Sequence, residues 1–146
     1  GRFVCGASGL VFGWMRNEGL HDEAVRRFLV QVEDLDLLML QQRSHPNSFG
    51  NLINNALGAF LDSGNEAHID LAVACLDALS SRISWNVRAG LHNVACVYAR
   101  AGLIDRAIAA VEEAVSNGVS IRTMGRDSDL TAVHDHPDFV RLLDAA

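Results

Sequence analysis

His92 and Cys96 stand four residues apart in a stretch that reads as helix, so an imidazole and a thiol share one face. Such a pair is the raw material of a nucleophile and its base. Catalysis would also need an acid to orient the ring and backbone donors for an oxyanion. Neither is evident near the pair. The same side chains suit contact with a binding partner, or simple packing between helices. Further on, Asp127-Ser128-Asp129 and His134-Asp135-His136 collect groups that metals favour. Their spacing fits neither a zinc rule nor a calcium loop. The acids there read as turn or capping residues. His21, His45 and His68 fall at turns or helix starts and need no role beyond solvation. The expectation is no catalytic residue, no cofactor and no metal.

Other chemistry-bearing types are equally quiet. Cys5, Cys75 and Cys96 form an odd set without C-x-x-C spacing, each in an apolar stretch. Reduced, buried thiols in a cytoplasmic protein are the expected state. The glycine pairs Gly6/Gly9 and Gly9/Gly13 have the spacing of close helix contact, and no G-K-[ST] follows to make a phosphate loop. Trp14 and Trp85 read as core or groove wall rather than a base-stacking platform. All 12 basic residues are Arg, against 18 acids, for a net charge of −6. No basic stripe tracks a phosphate backbone, so nucleic acid is not an expected partner. The absence of Lys suits a GC-rich bacterial genome. No apolar run approaches the roughly 20 residues that span a bilayer, and no charged start leads into a signal core.

The elements that hold these residues are helical. Only two prolines interrupt the 146 residues, and Ala and Leu are abundant. The helical period runs near 3–17, 21–41, 48–62, 67–83, 86–101 and 104–117, with a short last helix near 137–145. Ser44-His45-Pro46-Asn47 reads as a loop, and Asn117-Gly118 ends the sixth helix. Within this pattern lies an echo. Gly19-Leu20-His21-Asp22-Glu23-Ala24 and Gly102-Leu103-Ile104-Asp105-Arg106-Ala107 both read G-L-x-D-x-A. Phe28 and Val111 follow each Ala by four. Gly ends one helix, Asp caps the next or sits in its first turn, and the small Ala marks a close crossing. Between them, Ala72 and Leu76 repeat the small-then-large pattern after the turn Ser63-Gly64-Asn65. The intervals from Ala24 to Ala72 to Ala107 are uneven, and the extra length falls around 41–47.

Leu91-x2-Val94-Ala95-x2-Tyr98, then Ala107-x3-Val111 and Ala114, resembles a tetratricopeptide repeat. Ala56-Leu57, Phe60, Ala72 and Leu76 resemble another. The first unit resembles one weakly, since Phe12 falls where a small residue is usual. Asp129-Leu130-x2-Val133-x3-Pro137-x-Phe139-x2-Leu142-Leu143 looks like the segment that often follows the last repeat in bacterial members. The resemblance implies one all-α domain over 1–146, an antiparallel helix-pair solenoid of about three hairpins, units roughly 3–41, 48–83 and 86–119, and a capping segment over 127–146. It implies a protein–protein interaction module whose concave groove holds a peptide or partner helix carrying an acidic group. The groove residues would be Arg16, Asn17, Asn51, Asn54, Asp62, His92, Cys96 and Arg100. The alternative is an assembly, dimerisation or regulatory domain of a larger bacterial protein, including an immunity or secretion-chaperone role. The starting Gly would suit a fragment, and homo-oligomerisation belongs to that alternative. No membrane partner is expected.

Overall fold

Three helix ends are shaped by glycine in the left-handed region. The computed structural model describes residues 15, 17–44, 46–79 and 88–146. At Gly19 (φ 74°) the Leu20 amide donates back to the Met15 carbonyl at 2.7 Å. At Gly102 (φ 77°) Leu103 does the same to Tyr98 at 2.9 Å, and Gly102 to Ala99 at 3.1 Å. At Gly118 (φ 95°) Val119 reaches Ala114 at 3.0 Å and Gly118 reaches Val115 at 2.9 Å. At Gly102 and Gly118 these are the paired back-bonds that satisfy the orphan carbonyls of a helix C-terminus, and Gly19 shows the longer-range one of the two.

The chain divides into two units, Gly1–Trp85 and Asn86–Ala146. The division falls where the sequence separates its second and third helix pairs. In the first unit, α1 spans His21–Val32, α2 Leu35–Ser44, α3 Pro46–Asp62 and α4 Glu66–Leu79. Helix α3 is central and packs on the other three. It buries Leu52, Ile53, Ala56, Leu57, Ala59, Phe60 and Leu61. The small-then-large pattern is buried as expected: Ala24 with Phe28 on α1, Ala72 with Leu76 on α4. Phe28 and Phe60 meet edge-to-face, with ring centroids 6.0 Å apart, the arrangement that ring quadrupoles favour.

Two expectations are corrected here. The stretch 21–41 is not one helix. It breaks at Glu33-Asp34, where the Asp34 carboxylate accepts from the Leu37 amide at 3.1 Å and starts α2. The extra length before the second repeat therefore holds a helix of its own, α2, which runs on to Ser44. Pro46 opens α3 from its first position, where a missing N–H costs nothing. The turn into α4 is as read: Gly64 (φ 67°) is flanked by Ser63, which caps the Phe60 carbonyl at 2.8 Å, and Asn65, which accepts from the Ala67 amide at 3.0 Å.

In the second unit, α5 spans Arg88–Arg100 and α6 Ile104–Ser116. They pack as a hairpin, with Leu91, Val94, Ala95, Val97 and Ala99 buried on one and Ala107, Ile108, Ala110, Val111 and Ala114 on the other. Asp22 and Asp105 do not cap their helices; Leu20 and Leu103 hold the cap positions, with no side-chain bond. Both acids lie in the first turn, where the helix dipole favours them. The tail is more structured than its sequence suggests. A short α7, Ile121–Gly125, and a 3₁₀ turn, Ser128–Val133, precede α8, Pro137–Asp144. Each starts on a side-chain cap, from Ser120, Asp127 and His136 respectively. The 3₁₀ turn packs on α5 and α6, and α8 on α6 and α7. Phe139 is buried, while Leu143 is 39% exposed and so covers less than expected.

Among the described residues every regular element is helical, and no helix is long and apolar enough to cross a membrane. The expected helix over 3–17 apart from Met15 and Asn17, the glycine pairs at Gly6, Gly9 and Gly13, and Cys5, Trp14, Arg16, His45 and Trp85 lie outside the described residues.

Candidate functional site

Residues four apart on a helix stack along one face. On α5 that rule lines up His92, Cys96 and Arg100. The 3₁₀ turn brings two carboxylates onto this row from about thirty residues downstream. His92 Nε2 lies 2.8 Å from Asp127 Oδ2. The Cys96 thiol points at the same oxygen, 3.5 Å away. Arg100 Nη1 donates to Asp129 Oδ1 at 3.1 Å. The other Asp127 oxygen, Oδ1, accepts from the Asp129 amide at 3.0 Å, which fixes the carboxylate and starts the 3₁₀ turn. Asp127 thus serves three donors, and one carboxylate has the lone pairs to do so.

Burial grades along the row. Cys96 is 1% exposed. The side chains of His92 and Arg100 are 20% and 21% exposed, and those of Asp127 and Asp129 are 28% and 32%. The site is a shallow, half-buried polar seam over a dry thiol. Burial pushes the Cys96 thiol far above the usual range, and the charges of Asp127 and Asp129 add to the effect against a smaller opposing pull from Arg100. The thiol is therefore protonated at neutral pH and a poor nucleophile. The order of contacts is also wrong for acyl transfer. A catalytic imidazole stands between nucleophile and acid, whereas here the carboxylate stands between thiol and imidazole.

The first unit holds a second set of suggestive types. Ser63, His68 and Asp22 are the residues of a hydrolase triad. His68 Nδ1 lies 2.9 Å from Ser63 Oγ and 3.7 Å from Asp22 Oδ1. Both partners meet the same ring nitrogen, so no proton can pass through the ring from one to the other. The Ser63 hydroxyl donates to the Phe60 carbonyl and accepts from the Asn65 amide at 3.3 Å, the work of a turn residue. Beside it, Gly19, Leu20, His21, Asp22, Glu23, Arg26 and Ser63 line an open, polar hollow of about 470 Å³. His21 Nδ1 is buried there without a hydrogen-bond partner.

The residues expected to line a groove are distributed as follows. Arg16 and the Asn51 side chain lie outside the description. Asn17 is exposed just before the Gly19 turn, Asn54 is half-buried on α3, and Asp62 is exposed at the last position of α3. His92, Cys96 and Arg100 converge on the tail's two acids. Asp127 and Asp129 are the members of this cluster that sequence reasoning did not place there. Their capping role was readable; their reach to α5 was not. The usable signal was complementarity, since a His-Cys-Arg row asks for carboxylates and the tail supplies two. No family model, no curated protein and no solved structure matches this chain.

Proposed function

We propose that the chain is a protein-interaction module of the tetratricopeptide-repeat kind, a non-enzymatic scaffold whose stacked helix pairs hold a peptide or partner helix. The observation that carries this reading is the likeness of the turns at Gly19 and Gly102. Each has the same glycine conformation and the same back-bond to the fifth residue before it. Each is followed by a bond from the repeat alanine to the turn leucine, Ala24 to Leu20 at 3.1 Å and Ala107 to Leu103 at 2.9 Å. A local sequence echo that folds to the same local geometry, with the same alanines buried, behaves as a structural repeat. Such arrays curve and offer a concave surface.

The partner's chemistry follows from what α5 already holds. Its row grips two carboxylates, one by the Arg100 guanidinium, which suits the planar fork of an acid. An acidic partner segment would have to compete with Asp129 for that fork. The reading includes a bacterial, cytoplasmic setting, supported by the free, buried thiols of Cys75 and Cys96 and the Arg-only basic set. It excludes nucleic acid and membrane as partners. The experiment is selection of displayed peptides on the full chain. Acid-rich sequences should emerge, and Arg100→Gln should weaken them at least tenfold, with circular dichroism unchanged. Peptides insensitive to that change would sink the groove assignment.

A second reading has its own observation. Val30 on α1 is 60% exposed and Leu40 on α2 is 50% exposed. A second copy that covered these two side chains would take their apolar surface out of water. Light scattering of the wild type beside Val30→Asp distinguishes this: a dimer that dissociates on substitution supports assembly, and a monomer in both removes it.

A further inference from the structure

We propose that His92, Cys96 and Asp127 form a binding site for a single zinc ion. The proposal stands apart from the interaction reading, since neither needs the other. Their three donor atoms, an imidazole nitrogen, a thiol sulfur and a carboxylate oxygen, all lie within 4.8 Å of one another. That donor set selects the metal. Thiolate and imidazole are poor ligands for calcium and magnesium, which take oxygen, and good ones for zinc.

The geometry is near what the ion needs. Zinc bonds of about 2.0–2.3 Å in a tetrahedron set donors roughly 3–4 Å apart. Here Cys96 Sγ and Asp127 Oδ2 are 3.5 Å apart, already in range, and His92 Nε2 and Asp127 Oδ2 are 2.8 Å apart. The ion would draw the His92 nitrogen off Asp127 and toward Cys96, from which it stands within 4.8 Å. The i, i+4 spacing of His92 and Cys96 on α5 is the arrangement by which one helix face offers two ligands to one ion.

The surroundings are those of a supported site. The non-ligating oxygen of Asp127 is tied to the Asp129 amide, and Asp129 is tied to Arg100. Such outer bonds orient a ligating carboxylate. Charge also closes. Binding releases the Cys96 thiol proton to solvent, and the resulting thiolate, the Asp127 carboxylate and a neutral His92 balance a dication. The Arg100–Asp129 pair beside them is neutral as well. The ion replaces two hydrogen bonds with three coordinate bonds. The exposed side, flanked by the half-buried His92 and Asp127, leaves a fourth position for water, the open pattern of three protein ligands.

The test uses the full chain stripped of metal with a chelator and returned to neutral buffer. Zinc is titrated by calorimetry and cobalt by absorption. The expected result is one ion per chain, with an intense near-ultraviolet thiolate-to-cobalt band. Cys96→Ala should abolish the band and weaken zinc binding at least a hundredfold, whereas Asp129→Asn keeps the backbone amide that holds Asp127 and should change it far less. Asp127→Asn keeps an oxygen for the Asp129 amide, so the turn survives while the ligand charge is lost; it should also weaken binding strongly. Circular dichroism of each metal-free variant establishes folding. Absence of the thiolate band, or zinc binding equal in wild type and Cys96→Ala, overturns the site. Equal binding would place the ion on surface histidines instead.

Discussion

Replacing Gly102 with Ala isolates the cost of one backbone conformation. Gly102 sits at φ 77°, and a Cβ added there would meet nothing within 4 Å. No clash term enters, so the penalty is conformational alone. An L-residue in the left-handed region costs about 1–2 kcal/mol. Against this, Ala narrows the unfolded ensemble, which favours folding by about 0.4–1 kcal/mol. The net loss should fall between about 0 and 1.6 kcal/mol, centred on about 0.8 kcal/mol. For a unit of about 60 residues this lowers Tm by roughly 5 °C. Asn tolerates the left-handed region better, so Gly102→Asn should cost less than half as much. Gly19 (φ 74°) has the same open surroundings, so Gly19→Ala should match Gly102→Ala within about 0.5 kcal/mol if the two turns are copies. Urea denaturation with the slope held common reads these differences. A loss above about 3 kcal/mol for Gly102→Ala, or Asn costing as much as Ala, would refute the reasoning, because both outcomes demand a steric cause that the open space denies.

Three further outcomes are expected. Ala107, fully buried at the α5–α6 crossing, should resist enlargement: Ala107→Leu should overpack the hairpin and cost about 1–3 kcal/mol by denaturation, and an unchanged midpoint would mean the crossing lies elsewhere. Phe139→Ala should cost about 3–5 kcal/mol, since its 1%-exposed ring anchors α8; the exposed Leu143→Ala should cost far less, and equal losses would contradict the cap described. Burial raises Cys75 from 9.0 to about 11. A thiol whose folded value lies above its unfolded one contributes stability that is intact below pH 9 and lost as pH rises toward 11. Wild type should therefore lose stability across that window relative to Cys75→Ala, followed by thermal melts at fixed ionic strength; parallel curves would remove the assignment.

The helical hairpins were legible because period and punctuation agreed. Apolar residues recurred at helical spacing, and Gly19, Gly64, Gly102 and Gly118 stood where that spacing stopped. The break at Asp34 was not legible. Leu35, Leu37 and Leu38 continue an apolar run past it, and a capping Asp inside such a run looks like one more polar residue on the wet face. The site was half readable. The row His92, Cys96, Arg100 follows from helix geometry, and Asp127 as a capping residue follows from turn chemistry. Their meeting is a tertiary contact over some thirty residues, set by how Leu130 and Val133 bury against the hairpin. A single chain carries no local trace of such a distance.

The tail's place on α5 has a consequence for the order in which the protein is made. Synthesis runs from the N-terminus, and domains fold as they emerge. The α5–α6 hairpin is complete when Ser116 leaves the ribosome, before any residue of the 3₁₀ turn or α8 has emerged. For that interval the His92–Cys96–Arg100 row has no Asp127 or Asp129 to meet, and the hairpin face that Leu130, Val133 and Phe139 will cover is wet. The second unit thus has a defined period of vulnerability during its birth, when its thiol is accessible and its apolar face is open to a chaperone or to another nascent chain.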